Sequence, residues 1–266
     1  MKKLYRENKY KYGNYLEVNL YPVYLYPRTS CRKRKRRASK PAQVRLNQLR
    51  AERSLARLLA NNFDSTAIKC ELTYTDANLP ESIDRAHKDF TNFVRRLNRA
   101  RERNGLDKTK YVYSLEVGSK KGRIHFHVVL SGGLSLREIQ QKWGKGYVDK
   151  VLPLMFDETG LKGIAKYFCK QKVDEDGNVD GKYKKRYVAS KNCIVPQASN
   201  NDYKFSKKRV KEIVEESENL RAIEALYPGY FCAECKPFWN DNNGEYYITI
   251  MLYSKTADLD IRTGGQ

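Results

Sequence analysis

His125 and His127 stand one residue apart in the segment Arg123 to Leu130, and the chain holds only 3 histidines. If that segment is a strand, residues two apart share a face. Both imidazoles then point one way, while Ile124, Phe126, Val128 and Leu130 point the other, as in a sheet with helices packed beneath its apolar side. Two neutral imidazoles side by side can ligate one divalent ion, whereas two imidazoliums there would repel. The alternative is a polar pair on a solvated sheet face.

A second strand, Tyr111 to Val117, precedes the first across the turn-like stretch Gly118 to Gly122. A hairpin symmetric about Lys120 and Lys121 sets Glu116 directly across from His125, so that two imidazoles and one carboxylate share a patch. Such a donor set with open positions suits Mg²⁺ or Mn²⁺, which polarises a phosphoryl oxygen. Imidazole ligands favour Mn²⁺ somewhat.

The chemistry also needs a nucleophile, and the chain holds 20 tyrosines. Two of them precede a lysine by three residues: Tyr147 with Lys150, and Tyr167 with Lys170. The first pair falls in an expected strand, Gly146 to Leu152, where positions three apart face opposite sides. The second falls on an expected helix, Thr159 to Gln171, where positions three apart are neighbours and a cation favours the phenolate. Leu161, Ile164, Ala165 and Phe168 form the apolar stripe of that helix, with Tyr167 at its edge and Lys166 beside it. An ordinary amphipathic helix bordered by a tyrosine would look the same.

The elements that must hold these residues are legible nearby. Ile68 to Thr75 alternates as a strand, and Ile83, Ala86, Phe90, Phe93, Val94 and Leu97 mark an amphipathic helix that Gly105 can close. Ser135 with Glu138 fits a capping box ahead of Leu136, Ile139 and Trp143. The order is β-α-β-β-α-β, which predicts an α+β fold: a ferredoxin-like antiparallel sheet with both helices on one face. The tyrosine-bearing helix is additional and can cover the other face.

Around this core, residues 63–172, the chain carries a basic N-terminal region, 1–62, and a C-terminal extension, 173–266. The former holds an alternating strand, Tyr15 to Tyr21, the run Arg32, Lys33, Arg34, Lys35, Arg36 and Arg37, and a helix bearing Val44, Leu46, Leu49, Leu55, Leu58 and Leu59. The latter holds a charged helix, Ser206 to Ala225, and a strand, Tyr246 to Tyr253, without recognisable chemistry. Lys and Arg number 52 against 31 Asp and Glu, a net charge of +21 that points to a polyanionic partner, nucleic acid first.

No apolar stretch suffices to span a bilayer and no secretory leader is visible, so a cytoplasmic protein without a membrane partner is expected. The 6 scattered cysteines read as reduced thiols. Cys232 and Cys235 form one C-x-x-C without the further ligands that structural zinc needs. A phosphate-binding loop is absent, so the chain has no helicase motor of its own.

Three segments in order, Glu71 to Thr75, Arg123 to His127 and Ala165 to Lys170, resemble the motifs of the HUH endonucleases. They are most similar to the replication initiators of microviruses and related plasmids and prophage-like elements. The likeness spans about Asp64 to Lys172, and Leu46 to Arg57 resembles the preceding helix of Firmicutes-associated members. It implies that Tyr167 is the nucleophile, that His125, His127 and Glu116 hold the metal, and that Lys170 assists at the phosphate. It further implies nicking and rejoining of single-stranded DNA at a replication origin through a 5′-phosphotyrosine, with a host helicase and polymerase as partners. A conjugative relaxase or a one-tyrosine transposase would carry the same motifs, and a non-catalytic DNA-binding regulator remains the rival from another class. Some microviral initiators have a second tyrosine four residues earlier; here that position is Gly163, which implies a one-tyrosine enzyme.

Overall fold

A computed structural model describes residues 3–24, 41–118, 122–170 and 186–257. In chain order the elements are β1 (Lys3–Tyr12), β2 (Tyr15–Tyr24), α1 (Pro41–Asn62), β3 (Ile68–Leu72), α2 (Ile83–Arg103), β4 (Tyr111–Val117) and β5 (Ile124–Leu130). There follow α3 (Leu136–Trp143), β6 (Val148–Pro153), α4 (Lys162–Phe168), β7 (Val188–Ala189), β8 (Ala198–Phe205), α5 (Lys207–Glu215), α6 (Leu220–Glu224), β9 (Tyr230–Asn240) and β10 (Glu245–Ser254). The fold is α+β, with the strands in two antiparallel five-stranded sheets.

Two compact units divide the chain. Gln48–Met155 with Lys162–Ile194 form one, and Met1–Asn47, Phe156–Leu161 and Val195–Gln266 form the other. The first carries the sheet ordered β6-β3-β5-β4-β7. Its four principal strands, taken in chain order as first to fourth, lie fourth-first-third-second, the ferredoxin-like arrangement anticipated from the pattern of elements.

Alternation in β5 sends Phe126 and Val128 down onto Phe90 and Phe93 of α2 and Trp143 of α3, so both helices cover one face. Burying each of these rings stabilises the unit by about 2 kcal/mol. Local signals set the helix ends. The Ser82 side chain accepts from the Arg85 N–H at the start of α2, and Gly105 follows its end at φ +67°. Ser135 and Glu138 form the expected capping box of α3, and Gly144 closes that helix in the left-handed conformation.

The connection from α3 into β6 is tight. Trp143 Nε1 donates to the Thr73 carbonyl at 2.7 Å, and a Cβ added to Gly146 would strike the Thr73 carbonyl and come within 2.7 Å of Tyr74 Cα. Backbone cannot yield as a side chain can. Gly146→Ala is therefore expected to lower stability by about 2 kcal/mol, seen as a lower urea midpoint at unchanged slope.

The second unit carries the sheet β8-β1-β2-β10-β9. Val18, Leu20, Ile248 and Ile250 pack beneath Val210 and Ile213 of α5 and Ile223 of α6. Strand β1 has no apolar alternation to betray it, because Glu7 takes a core-facing position. That carboxylate is fully buried and accepts from Lys204 Nζ and Tyr227 Oη, both at 2.9 Å. Burial of the Glu7 carboxylate is tolerated because charged and hydroxyl donors surround it.

Strand β9 hides its pattern differently. A register shift opposite Met251 and Leu252 lets Cys232 and Cys235, three apart, both pack on the same core. The charged helix expected from Ser206 to Ala225 is two helices, interrupted where Ser217 and Asn219 bond back onto the turn. No helix among the described residues is long and apolar enough to cross a membrane.

Candidate active site and metal centre

The face of the first sheet opposite α2 and α3 collects polar side chains by strand parity alone. Strand β5 places His125 and His127 there, β4 places Ser114 and Glu116, and β3 places Lys69 and Glu71. In the β4–β5 register Glu116 is the partner of His125, as the symmetric hairpin predicts. On the other side of β5, Glu71 is the partner of His127.

Glu116, His125 and His127 offer ligand atoms within 4.8 Å of one another. Glu116 Oε2 lies 2.9 Å from His127 Nε2 and 4.0 Å from His125 Nε2. The other ring nitrogen of His127, Nδ1, lies 3.3 Å from Glu71 Oε1. A neutral imidazole has one N–H, so one of these two carboxylates faces a lone pair unless a cation intervenes. With the N–H on Nδ1 held by Glu71, Nε2 is left as a ligand toward Glu116.

The donor set therefore fits a divalent cation, and no metal identity follows from it. Burial, and then the neighbouring His127, lower the pKa of His125, which keeps its ring in the neutral, ligating form to lower pH than a free histidine.

Tyr167 reaches this cluster from α4. Ala165 and Phe168 bury the inner side of that helix, and Tyr167 sits at the edge with 42% of its surface exposed. Its hydroxyl oxygen lies 3.3 Å from both ring nitrogens of His127, and the two rings meet edge to face at 4.8 Å. The Lys69 ammonium lies 4.6 Å over the Tyr167 ring. Burial raises the pKa of the phenol, the Glu71 and Glu116 carboxylates raise it further, and Lys150 opposes them. The resting side chain is thus a protonated phenol.

Helix α4 is shorter than the expected span Thr159 to Gln171. Before it, Asp157 and Gly160 form a turn, with the Asp157 side chain accepting from Thr159 N–H and Gly160 at φ +78°. Beyond Phe168 the helix has ended, and Lys170 donates its backbone N–H to the Tyr167 carbonyl at 3.3 Å. Lys166 is exposed on the same helix, and the space around Gly163 is open. Arg32, Lys33, Arg34, Lys35, Arg36 and Arg37 lie outside the described residues.

Two residues at the cluster escape pattern reading. Glu71, only 7% exposed, is legible as part of a strand but has no partner until β5 is laid beside it. Strand parity sets Lys150 on the face opposite Tyr147 without saying what it meets there. Tyr147 does point outward, 61% exposed. Lys150 has φ +49° and sits where the β3–β6 register shifts between Lys69 and Glu71, so a bulge breaks the alternation. Its ammonium contacts Glu71 at 2.8 Å. At the rim, Arg123 pairs with Asp76 and donates to the Tyr74 carbonyl at 2.6 Å, tying the start of β5 to the loop after β3.

The fold and cluster define an α+β domain with a Glu/His/His centre and an adjoining tyrosine. Residues 69–173, which span every residue of that cluster, match a family model described as replication-associated protein ORF2. No curated protein and no solved structure matches the chain.

Proposed function

We propose that the protein is a replication initiator that nicks and rejoins single-stranded DNA of an origin through a covalent tyrosine intermediate. The observation that carries this reading is the Tyr167 hydroxyl 3.3 Å from His127 inside the Glu116, His125 and His127 cluster. These groups come from separate elements, and a structural role requires no such convergence. The replication-associated family match over the same segment supports an origin as the substrate, and a one-tyrosine HUH enzyme is the specific class.

In the proposed step the Tyr167 oxygen bonds to phosphorus, the bond to the 3′ oxygen breaks, and the DNA 5′ end remains on tyrosine. The released strand ends in a 3′-hydroxyl that a host polymerase extends in the cytoplasm, behind a host helicase. The phenol proton passes to water, to which the partly exposed side chain is open. Glu116, His125 and His127 would hold Mg²⁺ or Mn²⁺, which polarises the phosphoryl oxygen when bound. Glu71 fixes the orientation of His127, and Lys170, one turn beyond the nucleophile, assists at the phosphate. Reversal rejoins the strand because the phosphotyrosine conserves the energy of the broken linkage.

The test is incubation with end-labelled single-stranded DNA, with Mn²⁺ and with chelator, followed by denaturing electrophoresis. A metal-dependent covalent adduct is expected; its absence over a set of origin-bearing DNAs would refute the reading.

Binding itself is expected to be strongly salt-dependent, because the chain carries a net charge of +21. Neutralising about six phosphates of a single strand gives a slope of about −4 for log K against log salt. The basic stretch Arg32 to Arg37 and Lys166 are proposed to contribute. Fluorescence anisotropy at several salt concentrations measures it, and a flat dependence would remove the electrostatic basis of the interaction.

A further inference from the structure

We infer that Lys150, with Lys69, forms a phosphate-holding subsite beside Tyr167. This rests on the proposed reaction for its role there, but not for its ability to bind a phosphodiester. The first observation is conformational. Lys150 is the non-glycine residue with positive φ among the described residues, at +49°. Lysine adopts that conformation at a cost that glycine or asparagine would largely avoid, and such strain persists where the surroundings impose it. Here it coincides with the register shift between Lys69 and Glu71, which turns a side chain destined by alternation for elsewhere onto the site face.

The second observation is where the ammonium ends. It contacts both oxygens of the buried Glu71 carboxylate, at 3.0 and 2.8 Å, while 71% of the side chain stays exposed. An ammonium has three N–H donors, so two contacts to Glu71 leave one directed elsewhere. Glu71 also holds His127, so Lys150 is fixed relative to the same ring that Tyr167 touches. On the neighbouring strand, Lys69 places its ammonium 4.6 Å over the Tyr167 ring. Two cations on adjacent strands thus flank the nucleophile on the side away from Glu116, where the non-bridging oxygens of an attacked phosphodiester carry charge.

Lys150→Gly separates this role from a structural one, since it removes the cation and relieves the backbone together. The variant is expected to melt at or above the wild-type temperature and to bind Mn²⁺ unchanged. Adduct formation with single-stranded DNA should fall at least thirtyfold, and Lys150→Arg should recover part of that loss. Independently of cleavage, the salt slope of oligonucleotide binding should fall by about 0.7 in Lys150→Gly, one phosphate contact. A wild-type protein that forms no adduct but loses this slope with Lys150→Gly retains the subsite while the proposed reaction fails. Wild-type adduct formation with neither rate nor slope altered in Lys150→Gly would overturn the subsite, as would a variant that melts well below wild type.

Discussion

Tyr167→Phe is expected to abolish the covalent DNA adduct, with a loss of at least about a thousandfold, because a phenyl ring has no oxygen to attack phosphorus. The substitution leaves the rest untouched. Ala165 and Phe168, not the Tyr167 hydroxyl, anchor α4, and the exposed edge position of Tyr167 tolerates the change. Thermal stability should stay within a degree or two and DNA affinity within a factor of two. Gly163 supplies no replacement nucleophile, although the space around it is open. Tyr147→Phe is the control. Its ring points away from the cluster with 61% exposure, so the adduct should form at wild-type rate. An adduct that survives Tyr167→Phe and disappears in Tyr147→Phe would reverse the assignment of the nucleophile.

The second large effect is expected of His125→Ala combined with His127→Ala. Calorimetric titration with Mn²⁺ should find one bound ion in the wild-type protein and none in the variant, since Glu116 alone cannot replace two imidazoles. Losing a bound cation that polarises the phosphoryl oxygen costs about 4 kcal/mol of transition-state stabilisation, or about a thousandfold in rate. Tyr167 stays in place, so the variant distinguishes an unassisted nucleophile from a missing one. The buried Glu71 keeps its Lys150 partner, which limits the damage to folding. Retention of Mn²⁺ by the double variant would place the ion elsewhere.

Much of the unit that carries the site is legible from residue types because its signals are local. The alternation of Ile124 to Leu130 puts both histidines on one face, and the symmetry of a short hairpin pairs Glu116 with His125, as the register shows. Ser135, Glu138 and Gly144 mark the ends of α3 through bonds made within one turn. The fourth-first-third-second strand order follows from the sequence of elements, since few topologies connect them without crossings.

The segments that resist such reading share physical causes. Strand β1 buries Glu7 where an apolar residue is expected, and only Lys204 and Tyr227, about two hundred positions away, make that tolerable. Strand β9 and the Lys150 segment each contain a bulge, and one extra residue inverts every parity inference beyond it.

Residue types and their spacing suffice for the elements of the core, the face on which the histidines lie and the positive charge that seeks a polyanion, because each follows from neighbours a few residues away or from composition. Packing in three dimensions was needed for Glu71 to hold His127, for Tyr167 to arrive beside that same ring, and for Lys150 to stand near the nucleophile. Those contacts join residues 40 to 79 positions apart, and they depend on strand register and a backbone bulge that no local preference encodes.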